Sequence, residues 1–326
     1  MGQFKVSLKV VVTGKIPTAG LETLLAAGLA PIAWDKDQPM TRAELLVAVK
    51  GAEILITLLT EKVDAELLDA AGSQLRAVCN VAVGYNNIDV AACSTRNVRV
   101  TNTPGVLTDA TADIAFGLIL MVTRRLGEGE RVIRSNDPWQ WGMHYMLGSG
   151  IQNRQLGVIG MGAIGIATAR RAKVFGMKVA YYSRSKIDDK IATELGAKQM
   201  SFEELLATSD VVSVHCPSND STHHLIGAEQ FRLMKKSAFL INTARGPIVN
   251  EQELVDALKA GEIAGAGLDV FEFEPKVNSG LLNLENVVLI PHLGSATAET
   301  RAAMATLAAN NAVAIASSQA PLTPVN

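Results

Sequence analysis

Three apolar runs in the C-terminal half of the chain end in side chains that can handle protons and carboxylates. These side chains are Arg245, the carboxylates of Asp269, Glu272 and Glu274, and the imidazole of His292. Arginine binds a carboxylate through two hydrogen bonds and polarises a neighbouring carbonyl. Histidine gives or takes a proton near neutral pH, and a carboxylate beside it fixes its tautomer. Together these groups suit proton transfer to a carbonyl that lies next to a carboxylate, whereas each of them alone could be a structural residue.

A glycine-rich segment follows an apolar run in the middle of the chain. The apolar residues 156–159 lead into Gly160-Met-Gly-Ala-Ile-Gly165, and a helical pattern continues to residue 175. Gly160 permits a tight turn, Gly162 lets backbone approach a pyrophosphate, and Gly165 lets the helix pack close to the strand. The N-terminus of the helix would offer free N–H groups to the phosphates. The segment predicts a dinucleotide site, and a glycine-rich turn without a ligand is the alternative.

The residues after the next strand bear on the choice between NAD and NADP. An NAD site usually has Asp or Glu about 20 residues past the first glycine, bound to the ribose 2′-hydroxyl. Here Ser183 stands at that position, Arg184 follows it, and Lys186 could add charge. A hydroxyl and a guanidinium suit a 2′-phosphate, which a carboxylate would repel. The sequence therefore predicts NADP(H), with NAD(H) as the alternative if Arg184 only stacks on the adenine.

The elements that must position these residues alternate between strand and helix along the whole chain. The first hundred residues predict strands at 6–13, 54–58, 77–81 and 98–101, and helices at 21–27, 41–49 and 64–70. From residue 155 onward, strands are predicted at 156–160, 178–182, 211–215, 239–242, 265–269 and 287–290, and helices at 165–175, 202–207, 228–234 and 251–260. Such alternation predicts parallel sheets covered on both faces. The predicted fold class is α/β, with two doubly wound, Rossmann-like domains whose ligands lie beyond the carboxyl ends of the strands.

Two further helices decide the domain organisation. The apolar helix predicted at 108–123 is expected at a domain or subunit interface, and residues 134–151 after it predict an extended loop. The alanine-rich helix predicted at 298–316 follows a complete nucleotide unit, so we expect it to return to the first domain. We therefore predict a discontinuous, flavodoxin-like substrate domain of residues 1–102 and 293–326. The dinucleotide-binding domain, residues 103–292, is inserted into it.

Composition limits the partners and the compartment. The 326 residues suit two domains, and 48% hydrophobic with 19% charged residues exclude a disordered chain. A net charge of −2 predicts no nucleic-acid and no membrane partner. Three cysteines without metal-ligand spacing predict reduced thiols and no metal site, as in a cytosolic protein. Because the N-terminal sequence shows no signal peptide, we expect a cytoplasmic protein.

Four motifs, in order, resemble those of the D-isomer-specific 2-hydroxyacid dehydrogenase family, and the resemblance covers nearly the whole chain. They are Gly160-Met-Gly-Ala-Ile-Gly165, Asn242-Thr-Ala-Arg245-Gly, Gly267-Leu-Asp-Val-Phe-Glu-Phe-Glu274-Pro and Pro291-His292. Matched position by position, the resemblance implies that Arg245 anchors the substrate, His292 is the acid/base, and Glu274 is its paired acid. It also implies that Asp269 faces the nicotinamide end of the cofactor. Glu272 stays open as a rival to Glu274, because spacing alone hardly separates the two.

Within this family, residues 82–89 and 101–113 most resemble the glyoxylate and hydroxypyruvate reductases. The resemblance implies substrate contacts at Leu59, at the backbone of Val83 and Gly84, and at Trp141 in the pocket of a neighbouring subunit. Trp139 and Trp141 could instead only pack a loop. The implied cofactor contacts are Thr111, Gly160, Met161, Gly162, Ala163, Ile164, Gly165, Ser183, Arg184, His215, Cys216, Pro217, Thr222, Thr243, Ala244, Asp269, His292 and Gly294.

The predicted activity is the reduction of a small 2-keto acid, such as glyoxylate or hydroxypyruvate, to a D-2-hydroxy acid by a homodimer. The same fold could act on a bulkier keto acid or on phosphite, or serve as a nucleotide-sensing, corepressor-like protein without turnover. Among the other histidines, His215 is expected to line the cofactor crevice. We expect His144, His223 and His224 to have no partner set and to face solvent.

Overall fold

The computed structural model describes residues 8–136 and 138–326, which divide into two compact units. The first unit runs to Leu107 and resumes at Ala296–Asn326, and the second unit is Thr108–Ser295. These boundaries lie a few residues after the predicted ones at 102 and 292. Within the described ranges, no helix is both long and apolar enough to cross a membrane.

The first unit contains a five-stranded parallel sheet. Its strands are β1 Val10–Val12, β2 Ile32–Ala33, β3 Ile54–Thr57, β4 Ala77–Asn80 and β5 Arg99–Thr101, and its helices are α1 Thr18–Ala26, α2 Arg42–Ala48, α3 Ala65–Ala71, α4 Val90–Thr95 and α13 Ala298–Ala316. The strand order β2-β1-β3-β4-β5 is the flavodoxin-like order. All residues of β1, β3 and β4 are buried, as is typical of parallel strands covered on both faces. Part of the predicted strand at 6–13 lies outside the described residues.

Side-chain hydrogen bonds set the start of helix α2 in the first unit. The Thr41 hydroxyl accepts from the N–H of Glu44 and the Glu44 carboxylate accepts from the N–H of Thr41, which is a capping box at the start of α2.

Helix α13 packs against α1 so closely that a Cβ on Gly20 would lie 2.9 Å from the Cβ of Ala305. The C-terminal helix is therefore part of the first unit.

The second unit contains a seven-stranded parallel sheet. Its strands are β6 Gln155–Ile159, β7 Lys178–Tyr182, β8 Lys198–Gln199, β9 Val211–Val214, β10 Phe239–Asn242, β11 Gly265–Leu268 and β12 Val287–Leu289. Its helices are α5 Thr108–Thr123, α6 Leu126–Ser135, α7 Ala163–Val174, α8 Asp189–Leu195, α9 Phe202–Thr208, α10 Ala228–Leu233, α11 Glu251–Ala260 and α12 Ser279–Leu282. The order β8-β7-β6-β9-β10-β11-β12 reverses direction at β6 and β9, as in a doubly wound dinucleotide-binding sheet. The predicted α/β fold class is confirmed.

The elements that the sequence analysis missed are short or bury little. They are the two-residue strands β2 and β8, both exposed, and the helices α4, α6, α8 and α12. Helix α6 buries none of its residues. It occupies the first two residues of the predicted 134–151 loop, and the described residues from 138 to 150 form neither helix nor strand.

Helix α5 lies at the centre of the second unit, where it packs against α7, β10, β11 and β12. Its apolar residues, such as Phe116, Leu118 and Ile119, are buried inside that unit. These side chains are thus covered by the second unit itself, and the expected place of the helix at a domain or subunit interface stays a prediction. The exposed apolar side chains follow it instead, at Leu126, Ile133, Trp139, Trp141, Met143 and Leu147.

Candidate active site

The loops that follow three neighbouring strands carry the predicted catalytic side chains. Strand β11 pairs in parallel with β10 on one side and with β12 on the other, so their carboxyl ends lie side by side. Arg245 follows β10, Glu274 follows β11 and His292 follows β12. The sheet therefore brings together three loops that are far apart in the chain.

Arg245 extends from a turn that Asn242 organises. The side-chain oxygen of Asn242 accepts from the N–H of Ala244 at 3.0 Å, and its amide nitrogen donates to the carbonyl of Arg245 at 2.9 Å. The next residue, Gly246, lies against the loop after β11, where an added Cβ would come within 1.9 Å of the carbonyl of Phe271. Only glycine fits this approach, so the loops of Arg245 and Glu274 are packed backbone to backbone.

His292 and Glu274 form a hydrogen-bonded pair. Nδ1 of His292 lies 2.8 Å from Oε2 of Glu274, and Oε1 of Glu274 accepts from the N–H of Phe271 at 3.0 Å. Burial by itself raises the pKa of Glu274, but the hydrogen bond and charge of His292, with help from Phe271 and Arg245, lower it below its ordinary value. The carboxylate therefore stays ionised, and Nε2 is the nitrogen of His292 that remains for a reacting group.

Arg245 is partly withdrawn from water. Burial lowers the pKa of its guanidinium and the charge of Glu274 opposes this effect, but arginine stays protonated at any physiological pH. A cation in such surroundings attracts an anion more strongly than an exposed one does. The loop after β10 thus presents a positive group that suits a carboxylate.

Asp269 holds the turn that contains His292. Its carboxylate accepts from the N–H of Leu293 at 2.5 Å and from the N–H of Gly294 at 2.8 Å, and its carbonyl accepts from the N–H of His292 at 2.9 Å. The Thr111 hydroxyl donates to the carbonyl of Gly294 at 3.1 Å. These bonds support a left-handed φ of 51° at His292, which a residue with a side chain adopts at an energetic cost. Asp269 and Thr111 thus position His292, and their cofactor contacts stay predictions.

Glu272 belongs to a different pair. Its Oε1 lies 2.7 Å from Nε2 of His224, and its Oε2 accepts from the N–H of Glu251 at 3.2 Å. The expectation that His224 has no partner was wrong, because only the folded chain brings residues 224 and 272 together. The structure thus separates the two glutamates that spacing could not, with Glu274 at His292 and Glu272 at His224.

The glycine motif forms the turn between β6 and α7. Gly160 has a φ of 93°, and an added Cβ would lie 2.5 Å from the backbone nitrogen of Cys216. A Cβ on Gly165 would lie 2.4 Å from the carbonyl of Gly160, so α7 packs directly on the turn. A Cβ on Gly162 would meet no protein atom within 4 Å, and α7 begins at the next residue, Ala163. This combination leaves open space in front of a helix N-terminus, as phosphate binding requires.

The ends of β9 and β10 also fit a nucleotide. The hydroxyl of Thr243 is buried at the end of β10 and has no hydrogen-bond partner in the part of the chain that the structure describes. A buried hydroxyl of this kind is rare unless a ligand or water satisfies it. After the neighbouring strand β9, the ring of His215 lies 2.8 Å from the hydroxyl of Ser213, and burial lowers the pKa of His215 to about 4, so this imidazole is neutral. The residues present therefore suit a dinucleotide.

Ser183 and Arg184 follow β7, as predicted. The carbonyl of Ser183 accepts from the side chain of Gln199 at 3.2 Å, while Arg184 is exposed and forms no ion pair with any described residue. Lys186, which was expected to add charge here, is paired with Asp189 at 2.6 Å. Arg184 is accordingly the cation of this loop that no carboxylate neutralises.

The substrate residues predicted in the first unit lie after β3 and β4. The carbonyl of Val83 accepts from Asn102 at 2.8 Å and the carbonyl of Gly84 accepts from Asn80 at 3.0 Å. Among the described residues, no group accepts from the N–H of Val83 or Gly84. Leu59 is half-exposed after β3. The loop thus holds its carbonyls inward and leaves two backbone donors for another group.

The comparisons with known proteins agree with this geometry. The profile described as D-isomer specific 2-hydroxyacid dehydrogenase, NAD binding domain, matches residues 116–294. A glyoxylate reductase of Thermococcus litoralis is 46% identical, over 98% of this chain and 96% of its own. The crystal structure of a glyoxylate reductase from Paecilomyes thermophila is 34% identical, covers 98% of both chains and has a TM-score of 0.88. The structure of an NADPH-dependent glyoxylate/hydroxypyruvate reductase from Sinorhizobium meliloti, in complex with NADP and malonate, is 33% identical, covers 98% of this chain and 97% of its own, and has a TM-score of 0.82.

A doubly wound sheet with a glycine turn at β6, and with Arg, Glu and His at adjacent strand ends, defines a nicotinamide-dependent oxidoreductase. The chain belongs to the D-isomer specific 2-hydroxyacid dehydrogenase family.

Proposed function

We propose that the protein reduces small 2-keto acids, in particular glyoxylate and hydroxypyruvate, to D-2-hydroxy acids with NADPH. The observation that carries this proposal is the pair of His292 and Glu274, 2.8 Å apart, on strand ends next to the loop of Arg245. The substrate is inferred from the relatives, since the glyoxylate reductase of Thermococcus litoralis matches nearly the whole chain.

Each of the three side chains has one task in the proposed reaction. Arg245 binds the substrate carboxylate through two parallel hydrogen bonds and draws electron density from the adjacent carbonyl. His292 gives the proton from Nε2 to the carbonyl oxygen, so the product is the hydroxy acid and the imidazole is left neutral. Glu274 forms a hydrogen bond with Nδ1, which orients the ring so that Nε2 faces the reacting group. In the reverse direction neutral His292 accepts the proton.

A bound NADP(H) would supply the hydride to the carbonyl carbon, or accept it in the reverse reaction. We assign its diphosphate to the N-terminus of α7 behind Gly162, where the backbone leaves open space. Ser183 and Arg184 are assigned to the 2′-phosphate of the adenosine, because no carboxylate occupies that position and Arg184 carries an unpaired charge among the described residues. Thr243 would direct its unpartnered hydroxyl to the cofactor.

The first unit contributes to substrate binding in this proposal. The free N–H groups of Val83 and Gly84 suit the substrate carboxylate, because backbone donors fixed by their own carbonyl bonds bind an anion without reorganisation. Leu59 would contact the small apolar part of the substrate.

The experiment that tests the proposed activity measures initial rates with NADPH on glyoxylate, hydroxypyruvate and a bulkier, branched 2-keto acid. Phosphite with NADP⁺ is the fourth arm. We expect the highest kcat/KM with one of the two small keto acids. Faster turnover of phosphite or of the bulky acid would contradict the substrate assignment, and no turnover in any arm would contradict catalysis itself.

Cofactor choice is tested by Ser183→Asp. The new carboxylate repels a 2′-phosphate and removes a hydroxyl donor, so we expect kcat/KM with NADPH to fall about 10²-fold, or about 3 kcal/mol, while NADH remains usable. Ser185→Asp, which adds the same charge two residues further on, is the matched control and should change the ratio less. Wild-type protein that prefers NADH would contradict this assignment.

We further propose a homodimer that forms through the segment after α5. Trp141 is 72% exposed and Met143 is 74% exposed, and a run of exposed apolar side chains this dense is typical of a protein interface. Trp139 stacks on Tyr145 with ring centroids 6.3 Å apart, which leaves Trp141 as the ring free to enter a neighbour's pocket. Light scattering at micromolar concentration should give twice the chain mass. A monomer would contradict both the dimer and this role of Trp141.

A further inference from the structure

Two imidazoles and a carboxylate lie together outside the residues proposed for catalysis and cofactor binding. One ligand atom each from His223, His224 and Glu272 lies within 4.8 Å of the other two. The two imidazole rings stack, with centroids 4.0 Å apart and an angle of 29° between their planes. Imidazole nitrogen and carboxylate oxygen are the ligands of catalytic and regulatory zinc sites, and they suit other divalent transition metals as well.

Backbone hydrogen bonds hold two of these three side chains in place. Oε2 of Glu272 accepts from the N–H of Glu251 at 3.2 Å, so Oε1 is the oxygen that lies next to Nε2 of His224, at 2.7 Å. The N–H of His224 donates to the carbonyl of Pro247 at 2.8 Å. Outer hydrogen bonds that orient a ligating carboxylate are a regular feature of metal sites. The side chains of His224 and Glu272 are therefore held in one orientation, unlike two freely rotating side chains on the surface.

His223 provides the third ligand, and because it is exposed, an ion can reach the group from solvent. It is exposed, and its imidazole makes no hydrogen bond to any described residue. No hydrogen bond to a described residue therefore has to break when this side chain turns toward an ion. The net charge also favours a cation, because the only formally charged member of the group is the Glu272 carboxylate.

We propose that His223, His224 and Glu272 bind one divalent transition-metal ion, of which Zn²⁺ is the representative, with water completing the coordination. On binding, Nε2 of His224 and Oε1 of Glu272 exchange their mutual hydrogen bond for the ion, and the ring proton of His224 is relocated from Nε2 to Nδ1, so the imidazole stays neutral. The site is separate from the proposed reductase activity and does not depend on it. Under the Irving–Williams order Cu²⁺ should bind more tightly than Zn²⁺.

The test is a calorimetric titration of ZnCl₂ into the cofactor-free, full-length protein. We expect one equivalent of Zn²⁺ per chain and a raised Tm at saturating Zn²⁺, because the ion binds only the folded protein. His223→Ala and Glu272→Gln should each weaken binding at least about tenfold, since loss of a supporting group alone costs that much. They should also abolish the Zn²⁺-dependent rise in Tm. His144→Ala, which removes an exposed histidine outside the group, is the matched control and should leave binding unchanged.

Two results would overturn the proposal. One is equal Zn²⁺ affinity in wild type and in the His223→Ala/Glu272→Gln double variant, with an unchanged far-UV spectrum showing that the variant is folded. The other is loss of binding in Cys216→Ala but not in His223→Ala, which would place the ion on the half-buried thiol. We expect no effect of Cys216→Ala, because burial raises the pKa of Cys216 to about 11 and the protonated thiol is a poor ligand.

Discussion

The second unit contains two histidine–glutamate pairs that one distance does not distinguish. His292 lies 2.8 Å from Glu274, and His224 lies 2.7 Å from Glu272. The glutamates are two residues apart in the loop after β11, and the histidines have almost the same left-handed φ, 51° and 50°. A contact list alone would give both pairs the same chemistry.

The surroundings of the two pairs differ in three respects. The second oxygen of Glu274 accepts from its own loop, whereas that of Glu272 accepts from the first residue of α11. The side chain of Glu274 is 30% exposed and that of Glu272 only 12%. The charge of Arg245 helps to lower the pKa of Glu274. The next residue, Gly246, packs against the backbone of the loop that carries Glu274.

This difference is the reason why catalysis is proposed for only one of the two histidine–glutamate pairs. The pair of His292 stands at a strand end next to a buried cation that can hold an anionic substrate. In the other pair, Glu272 connects the loop after β11 to the start of α11, and the ring of His223 stacks on that of His224. We expect the first pair to control kcat and its pH dependence, and the second to contribute to stability and metal binding.

The largest effect should come from His292→Ala. Removal of the proton donor should lower kcat about 10²- to 10⁴-fold, which is the usual contribution of a positioned general acid. The matched variant is His224→Ala, which removes the histidine of the other pair and should lower kcat by less than about tenfold. Steady-state rates with saturating NADPH measure both. Equal losses in the two variants would break the comparison.

Arg245→Lys should have the next largest effect. An ammonium group keeps the charge but cannot make two parallel hydrogen bonds to a carboxylate, so KM for the keto acid should rise roughly 10- to 100-fold, with a smaller loss in kcat. The measurement is a full saturation curve with the keto acid at fixed NADPH. A change in kcat with KM unaltered would mean that Arg245 does not bind the substrate.

Glu274→Gln should lower kcat less than His292→Ala and should move the pH profile. The lowered pKa of Glu274 shows that carboxylate and protonated imidazole stabilise each other. Removal of the negative charge takes this stabilisation away, so the pH at which reduction fails should move downward. Profiles of kcat/KM against pH test the direction. A shift upward, or none, would remove Glu274 from the mechanism.

The smallest kinetic effect is expected for Glu272→Gln. The amide oxygen can still accept from Glu251, so kcat and the pH profile should stay nearly unchanged. The free energy of unfolding should fall by about 1 kcal/mol, because one hydrogen bond loses its charged partner. Urea unfolding measures the loss. A pH profile that shifts here but not in Glu274→Gln would mean that the roles of the two pairs are reversed.

The sequence by itself determined the fold class and selected the side chains that are proposed for catalysis. The bounds of the fully buried strand β10 and of the helix α11 agree with the prediction to the residue. Gly160 and Gly165 predicted a turn that only glycine allows. In the structure, a Cβ added to either residue would lie within 2.5 Å of a backbone atom. Local rules suffice where the constraint is local.

Only the tertiary structure decided which glutamate pairs with which histidine. Glu272 and Glu274 are equivalent in spacing, and no local signal connects residue 224 with residue 272, because parallel strands bring distant loops together without a mark in the sequence. The burial of α5 also depends on which helices and strands cover it, and its apolar composition alone does not name them. The sequence pattern specifies which side chains are buried. The residues against which they pack depend on how the sheet and its helices are arranged.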